Sequence, residues 1–138
     1  NNISMDNVSF TKQDHSKLVR HSTADIFLDK SGIVWFKFKE HVEINLDHAY
    51  EYVKIIEQIC DGERRPFILD TRNTMATVSP ENRKFMGKDP QALKWRKADA
   101  LLVDSLAIRM LANFYMKFDA SGHPVKVFND EEEAKEWV

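Results

Sequence analysis

The runs RPFILD (65–70) and ADALLVD (98–104) constrain this chain more than any other feature. Each stays apolar almost without interruption over the length of a strand, as a strand covered on both faces does. Each also leads through a short polar connection into a segment with the marks of a helix. HPVKVF (123–128) supplies a further strand, followed at once by the helix-like NDEEEAKEWV (129–138). Buried strands alternating with helices over short connections imply right-handed crossovers and a mostly parallel sheet with helices packed on it.

A β-hairpin precedes this alternation. In ADIFLDKSGIVWFKFK (24–39) two β-rich runs flank Asp29-Lys30-Ser31-Gly32, a turn whose glycine can take positive φ. In the second run Val34, Phe36 and Phe38 alternate with Trp35, Lys37 and Lys39, so one face is expected to be covered and the other partly wet.

The helices carry their own start and stop signals. Asn45 is placed to cap a helix on which Leu46, Ala49, Tyr50, Val53, Ile56 and Cys60 recur at three- and four-residue spacing, the expected core face, and Gly62 is placed to end it. Ser79 is expected to cap a second helix with Pro80 at its first position, where a missing N–H costs nothing. A third helix is expected from about Ser105 to Phe118, and Asn129 and Glu132 resemble a capping box at the start of the last. Residues Asn1–Ser22 are polar and irregular, which gives an expected organisation of an irregular N-terminal segment (1–22) and one α/β domain (23–138).

Composition narrows the class of function. The 138 residues, 43% of them hydrophobic, suffice for one domain with a core, and a formal charge of −2 gives no overall attraction to nucleic acid or anionic membranes. The single cysteine, Cys60, excludes an internal disulfide framework and is expected in the core. No apolar run approaches the roughly 18–20 residues of a membrane span, and the opening residues lack a signal pattern, so the expected location is the cytoplasm. The four glycines are isolated and form no phosphate loop, the five histidines are scattered, and Cys60 has no recognisable histidine partner. The reading is therefore of a non-enzymatic chain with no cofactor and no metal site.

The succession of hairpin, helix, FILD strand, polar loop and helix, ALLVDSLAIRMLANFYMKF, PVKVF and NDEEEAKEWV resembles a bacterial family of small STAS-like proteins over roughly Ala24–Val138. These share the fold of the sporulation anti-sigma-factor antagonist, and CRAL-TRIO-like domains stand close to them. The resemblance implies the fold and, by analogy, either regulation through protein contacts or the carriage of an apolar ligand. In the anti-sigma antagonists a kinase phosphorylates a serine within an aspartate-serine-serine-glycine motif at the start of the second helix. Ser79 of TVSPEN falls close to that position, but Val78 replaces the acidic residue, Pro80 the second serine, and no glycine follows. Ser79 is thus a candidate phosphorylation site or simply a helix cap.

Three further groups stand out. Asp70, Arg72 and Asn73 end one expected parallel strand, and Ser105 and Arg109 follow the end of the next. Open α/β sheets place ligands at such strand ends, so these residues are a candidate polar recess. Lys84, Lys88, Lys94, Arg96 and Lys97 surround Trp95 in a locally basic stretch, diluted by Asp89 and Asp99 and read as a solvated face rather than a nucleic-acid site. In SLAIRMLANFYMKF only Arg109, Asn113 and Lys117 form a narrow polar stripe. The apolar surplus, drawn from Ile108, Ala112, Tyr115 and Met116, is expected to meet a second copy in a homodimer, a protein partner or an apolar ligand.

Overall fold

A computed structural model describes residues 8–11, 16–116 and 122–138. The expected hairpin is formed by β3 (Ala24–Leu28) and β4 (Val34–Phe38), which pair antiparallel. Its turn is held by the Asp29 carboxylate, which accepts from the Ser31 N–H (2.8 Å), the Ile33 N–H (3.0 Å) and the Trp35 indole (2.8 Å). Gly32 follows at φ 89°, where a side chain would be strained.

From β4 onward the sheet is parallel. β6 (Arg65–Asp70) pairs with β4, β8 (Arg96–Leu102) with β6, and β9 (Val125–Phe128) with β8. The helices lie between them in sequence: α1 (Leu46–Cys60), α2 (Pro80–Lys88), the single turn α3 (Pro90–Leu93), α4 (Leu106–Met116) and α5 (Glu131–Trp137). Two short strands, β5 (Glu43–Ile44) and β7 (Thr77–Val78), form a separate parallel pair beyond the ends of β4 and β6.

The N-terminal residues depart from expectation. The segment read as irregular contains β1 (Val8–Thr11) and β2 (Ser16–Arg20), which extend the sheet to the order β1-β2-β3-β4-β6-β8-β9. The sheet is therefore mixed, with antiparallel pairing through β4 and parallel pairing after it. SKLVR holds too few apolar residues to show a period. Its strand state comes from pairing with β3, Leu18 opposite Phe27 and Val19 opposite Ile26, which buries Val19.

Alternation along the strands sends side chains to two cores. Phe36 and Phe67 face Tyr52, Ile55, Ile56 and Ile59 of α1. Trp35, Ile68, Ala100 and Leu102 face the other way, toward Phe128 and Ala134, with Trp137 of α5 packed against them. On α1 the buried residues are Ala49, Glu51, Tyr52, Ile55, Ile56, Ile59 and Cys60, so Ala49, Ile56 and Cys60 lie in the core as expected while Leu46 and Val53 are only half-buried. Tyr50 is 47% exposed and instead meets the Phe85 ring of α2 edge-on at 5.1 Å. Tyrosine occurs on both sides of this helix, and spacing alone picked Tyr50 for the core in place of Tyr52.

The capping signals were largely sound. Asn45 Oδ1 accepts from the His48 N–H while His48 Nδ1 accepts from the Asn45 N–H, a reciprocal box with histidine at its third position. Ser79 Oγ accepts from the Asn82 N–H at 3.1 Å with Pro80 at the first position of α2. At α5 the cap is Asp130, which accepts from the Glu132 N–H, and not Asn129, whose Oδ1 is taken by Arg109.

Candidate functional site

Where β4, β6, β8 and β9 end, the sheet face that carries Phe36 and Phe67 is not fully covered. Phe38, Leu69, Leu101 and Val103 continue that face, and α1, α2 and α4 stand over it without closing down. The result is a cavity of about 520 Å³. That lies within the roughly 300–1,000 Å³ typical of small-molecule pockets. Ile44 and Val78 of the β5/β7 pair wall one end, and Ile108 and Ala112 of α4 wall another. Two wall positions on α2 and α4, Gly87 and Ala112, carry almost no side chain.

Two buried polar assemblies hold these walls in place. Behind α1, the Thr23 N–H donates to His21 Nδ1 at 3.0 Å, which assigns the ring proton to Nε2. Nε2–H then donates to Glu51 Oε1 at 2.6 Å, and Thr23 Oγ1 bonds both His21 Nδ1 and the Tyr52 hydroxyl. Burial lowers the pKa of His21 against the opposing pull of Glu51, and raises that of Tyr52 to about 12. The phenol that walls the cavity is thus neutral and anchored.

Under α2, Arg96 and Asp99 form an ion pair that is only 4% and 2% exposed. Arg96 Nη1 also donates to the carbonyls of Met86 (2.5 Å) and Ala92 (3.3 Å), tying the ends of α2 and α3 to β8. His123 Nε2 lies 3.2 Å from Asp99 Oδ2. Burial alone would raise the pKa of Asp99, but the charge and hydrogen bonds of Arg96, with those of His123, bring it below the ordinary value. Arg96 therefore does not belong to the solvated basic face in which the sequence placed it, whereas Lys84, Lys88, Lys94 and Lys97 are exposed.

The candidate recess residues lie at the strand ends but form separate staples. Arg72 holds Asp70 through two bonds of 2.9 Å and reaches Glu131 of α5 at 3.0 Å. Those bonds, the one from Asp70 foremost, hold the Arg72 guanidinium above its usual pKa. Lys135 and then Arg72 keep the Glu131 carboxyl below its own. The Asn73 N–H donates to the Asp104 carboxylate, Ser105 Oγ accepts from the Ile108 N–H at the start of α4, and Arg109 donates to Asn129. Every one of these groups meets a neighbour within the fold.

The third helix of the sequence, α4, divides its apolar surplus. Ile108, itself 45% exposed, and Ala112 line the open cavity, while Leu106, Met110 and Leu111 are 52%, 65% and 57% exposed away from it. The side chains of Tyr115 and Met116, also placed on this surface from the sequence, lie outside the described residues.

From the sequence only Ile108 and Ala112 of the cavity wall stood out, as one of several readings of the apolar surplus on α4; the pairing of His21 with Glu51 and of Arg96 with Asp99 was not visible there. The one local signal was Asp99, a carboxylate inside an apolar parallel strand with Arg96 three residues before it, a position that demands a buried partner.

Comparison with known proteins agrees with the architecture. The crystal structure of an uncharacterized protein of the DUF3478 family with a SpoIIAA-like fold, from Shewanella loihica PV-4, superposes with a TM-score of 0.52 at 11% identity, over 95% of this chain and 93% of that one. This chain has the same SpoIIAA-like fold. No curated protein matches it. The model of the domain of unknown function DUF7793 matches residues 26–138, and the chain belongs to that family.

Proposed function

We propose that this DUF7793 member is a non-enzymatic binding domain that takes up an apolar small molecule between its sheet and helices. The carrying observation is the cavity itself, about 520 Å³ lined mainly by Phe, Leu, Ile, Val and Met side chains. Among the described residues its wall holds no carboxylate, histidine, cysteine or serine to act as base or nucleophile, which supports binding rather than turnover. Among the described residues no three His, Cys, Asp or Glu side chains converge as metal ligands, and no helix is long and apolar enough to cross a membrane. The test is titration with the neutral dye Nile red. Saturable blue-shifted emission at one site per chain, lost in Met86→Lys, is expected, and an absence of saturable uptake by the folded protein would overturn the reading.

A second reading rests on the outer face of α4. Leu106, Met110 and Leu111 are more exposed than large apolar side chains usually remain on one short helix, which favours regulation through contact with a second chain, in the simplest case a symmetric homodimer. Light scattering at micromolar concentration should then give twice 16.1 kDa for the wild type and 16.1 kDa for Met110→Glu. A monomeric wild type would remove the homodimer.

A further inference from the structure

The cavity wall is apolar except at a few points, and two adjacent residues of α2 supply polar groups that the fold leaves unused. Asn82 is 4% exposed and lines the cavity. Its amide nitrogen donates to the Asn45 carbonyl at 2.9 Å. That carbonyl can only accept, which fixes the orientation of the amide and makes Oδ1 the remaining group. Oδ1 has no hydrogen-bond partner among the described residues. Arg83 also lines the cavity and is exposed, and its guanidinium makes no ion pair or hydrogen bond among the described residues. The second guanidinium of the wall, that of Arg96, is already neutralised by Asp99. Among the described residues no Asp or Glu lines the cavity, so that part of the wall carries one positive charge without a counter-ion.

We infer that the ligand is an amphiphilic monocarboxylic acid, with its apolar body over the sheet, its carboxylate on Arg83 and an adjacent O–H or N–H donating to Asn82 Oδ1. This deepens the cavity-binding function proposed above and rests on it. A carboxylate matches the planar fork of a guanidinium, and its single charge matches the single free cation, where a dianionic phosphate would leave charge unpaired at an apolar rim. A fully apolar ligand would desolvate Asn82 Oδ1 without replacing its hydrogen bond.

The experiment is isothermal titration of octan-1-ol, octanoate and 3-hydroxyoctanoate at pH 7 into the wild type, Arg83→Gln and Arg83→Lys, with circular dichroism confirming the fold of each. Octanoate should bind about tenfold more tightly than octanol, as a charge-assisted hydrogen bond predicts, and 3-hydroxyoctanoate more tightly again. Arg83→Gln should bring octanoate down to octanol while leaving octanol unchanged, and Arg83→Lys should recover part of the difference. Octanol and octanoate binding equally would overturn the inference and leave the cavity function standing, whereas failure of all three ligands would overturn both. An acid preference that survives Arg83→Gln would overturn the role of Arg83, and equal binding of the two acids that of Asn82.

Discussion

Replacing Asp99 with alanine should be among the most damaging single changes on the cavity side of the sheet. The carboxylate is buried under α2, accepts from Arg96 Nε at 3.2 Å and from its Nη2, and has His123 Nε2 3.2 Å away. Without it the Arg96 guanidinium stays buried with, among the described residues, only the Met86 and Ala92 carbonyls for partners. Breaking a buried pair from one side costs about 3–5 kcal/mol, a large share of the roughly 5–15 kcal/mol that holds a domain together. Urea unfolding followed by circular dichroism at pH 7 should show that loss as a lower midpoint at nearly constant slope. The double variant Arg96→Met/Asp99→Leu, which removes both charges, should recover most of it. The pair also sets a pH dependence. The folded-state pKa of Asp99 is depressed, so its stabilisation is present above the ordinary carboxyl value and is lost as pH falls through the folded value. The wild type should weaken below about pH 4 in a limb that Asp99→Asn lacks. A loss under about 1 kcal/mol in Asp99→Ala, or a double variant as weak as the single, would refute the reasoning.

Other consequences can be checked with the same assays. The pKa of His21 is lowered by burial, so the folded state binds the proton less readily than the unfolded chain, and stability should fall as pH drops from the ordinary histidine value of 6.5 toward the folded one, a dependence absent in His21→Gln. Ser79→Ala should cost about 1 kcal/mol in urea unfolding, whereas Ser79→Asp should be neutral or slightly stabilising, because aspartate caps well and suits the helix dipole. Gly87 sits inside α2 with nothing within 4 Å of an added Cβ, so Gly87→Ala should stabilise by about 0.5–1 kcal/mol by unfolding midpoint. Gly87→Leu should project into the cavity and weaken Nile red uptake while the fold persists.

Elements whose burial is written in their own residues were legible in the sequence. The apolar runs of β6 and β8 reflect cores on both sides of the sheet, and Asn45 and Ser79 satisfy helix N–H groups three residues on. What was not legible depends on distant partners. β2 is a strand because β3 offers it an edge. The face of α1 is chosen by Phe36 and Phe67, which select Tyr52 over Tyr50. Glu51 looks like a solvated residue until His21, thirty positions earlier, is brought against it at 2.6 Å. The recess was expected from a sound rule, that strand ends build sites, but arginine and aspartate there are matched closely enough to consume one another.

The cavity itself can be read from energetics. A closed, empty void of about 520 Å³ would cost on the order of 12 kcal/mol at about 24 cal/mol per Å³, comparable with the whole stability of a domain. Such a space persists only if it opens to solvent or holds a ligand. Larger side chains at Gly87 or Ala112 would reduce it, yet these positions are small while Leu106, Met110 and Leu111 point outward on α4. Apolar volume sufficient to fill much of the gap is thus present on the neighbouring helix but turned away from it. Because Ile108 and Ala112 face the cavity from that same helix, a partner on its outer row and a ligand on its inner row contact one element from opposite sides. Their binding free energies are coupled to whatever extent the ligand changes the position of α4, and by linkage the partner then shifts ligand affinity by the same factor.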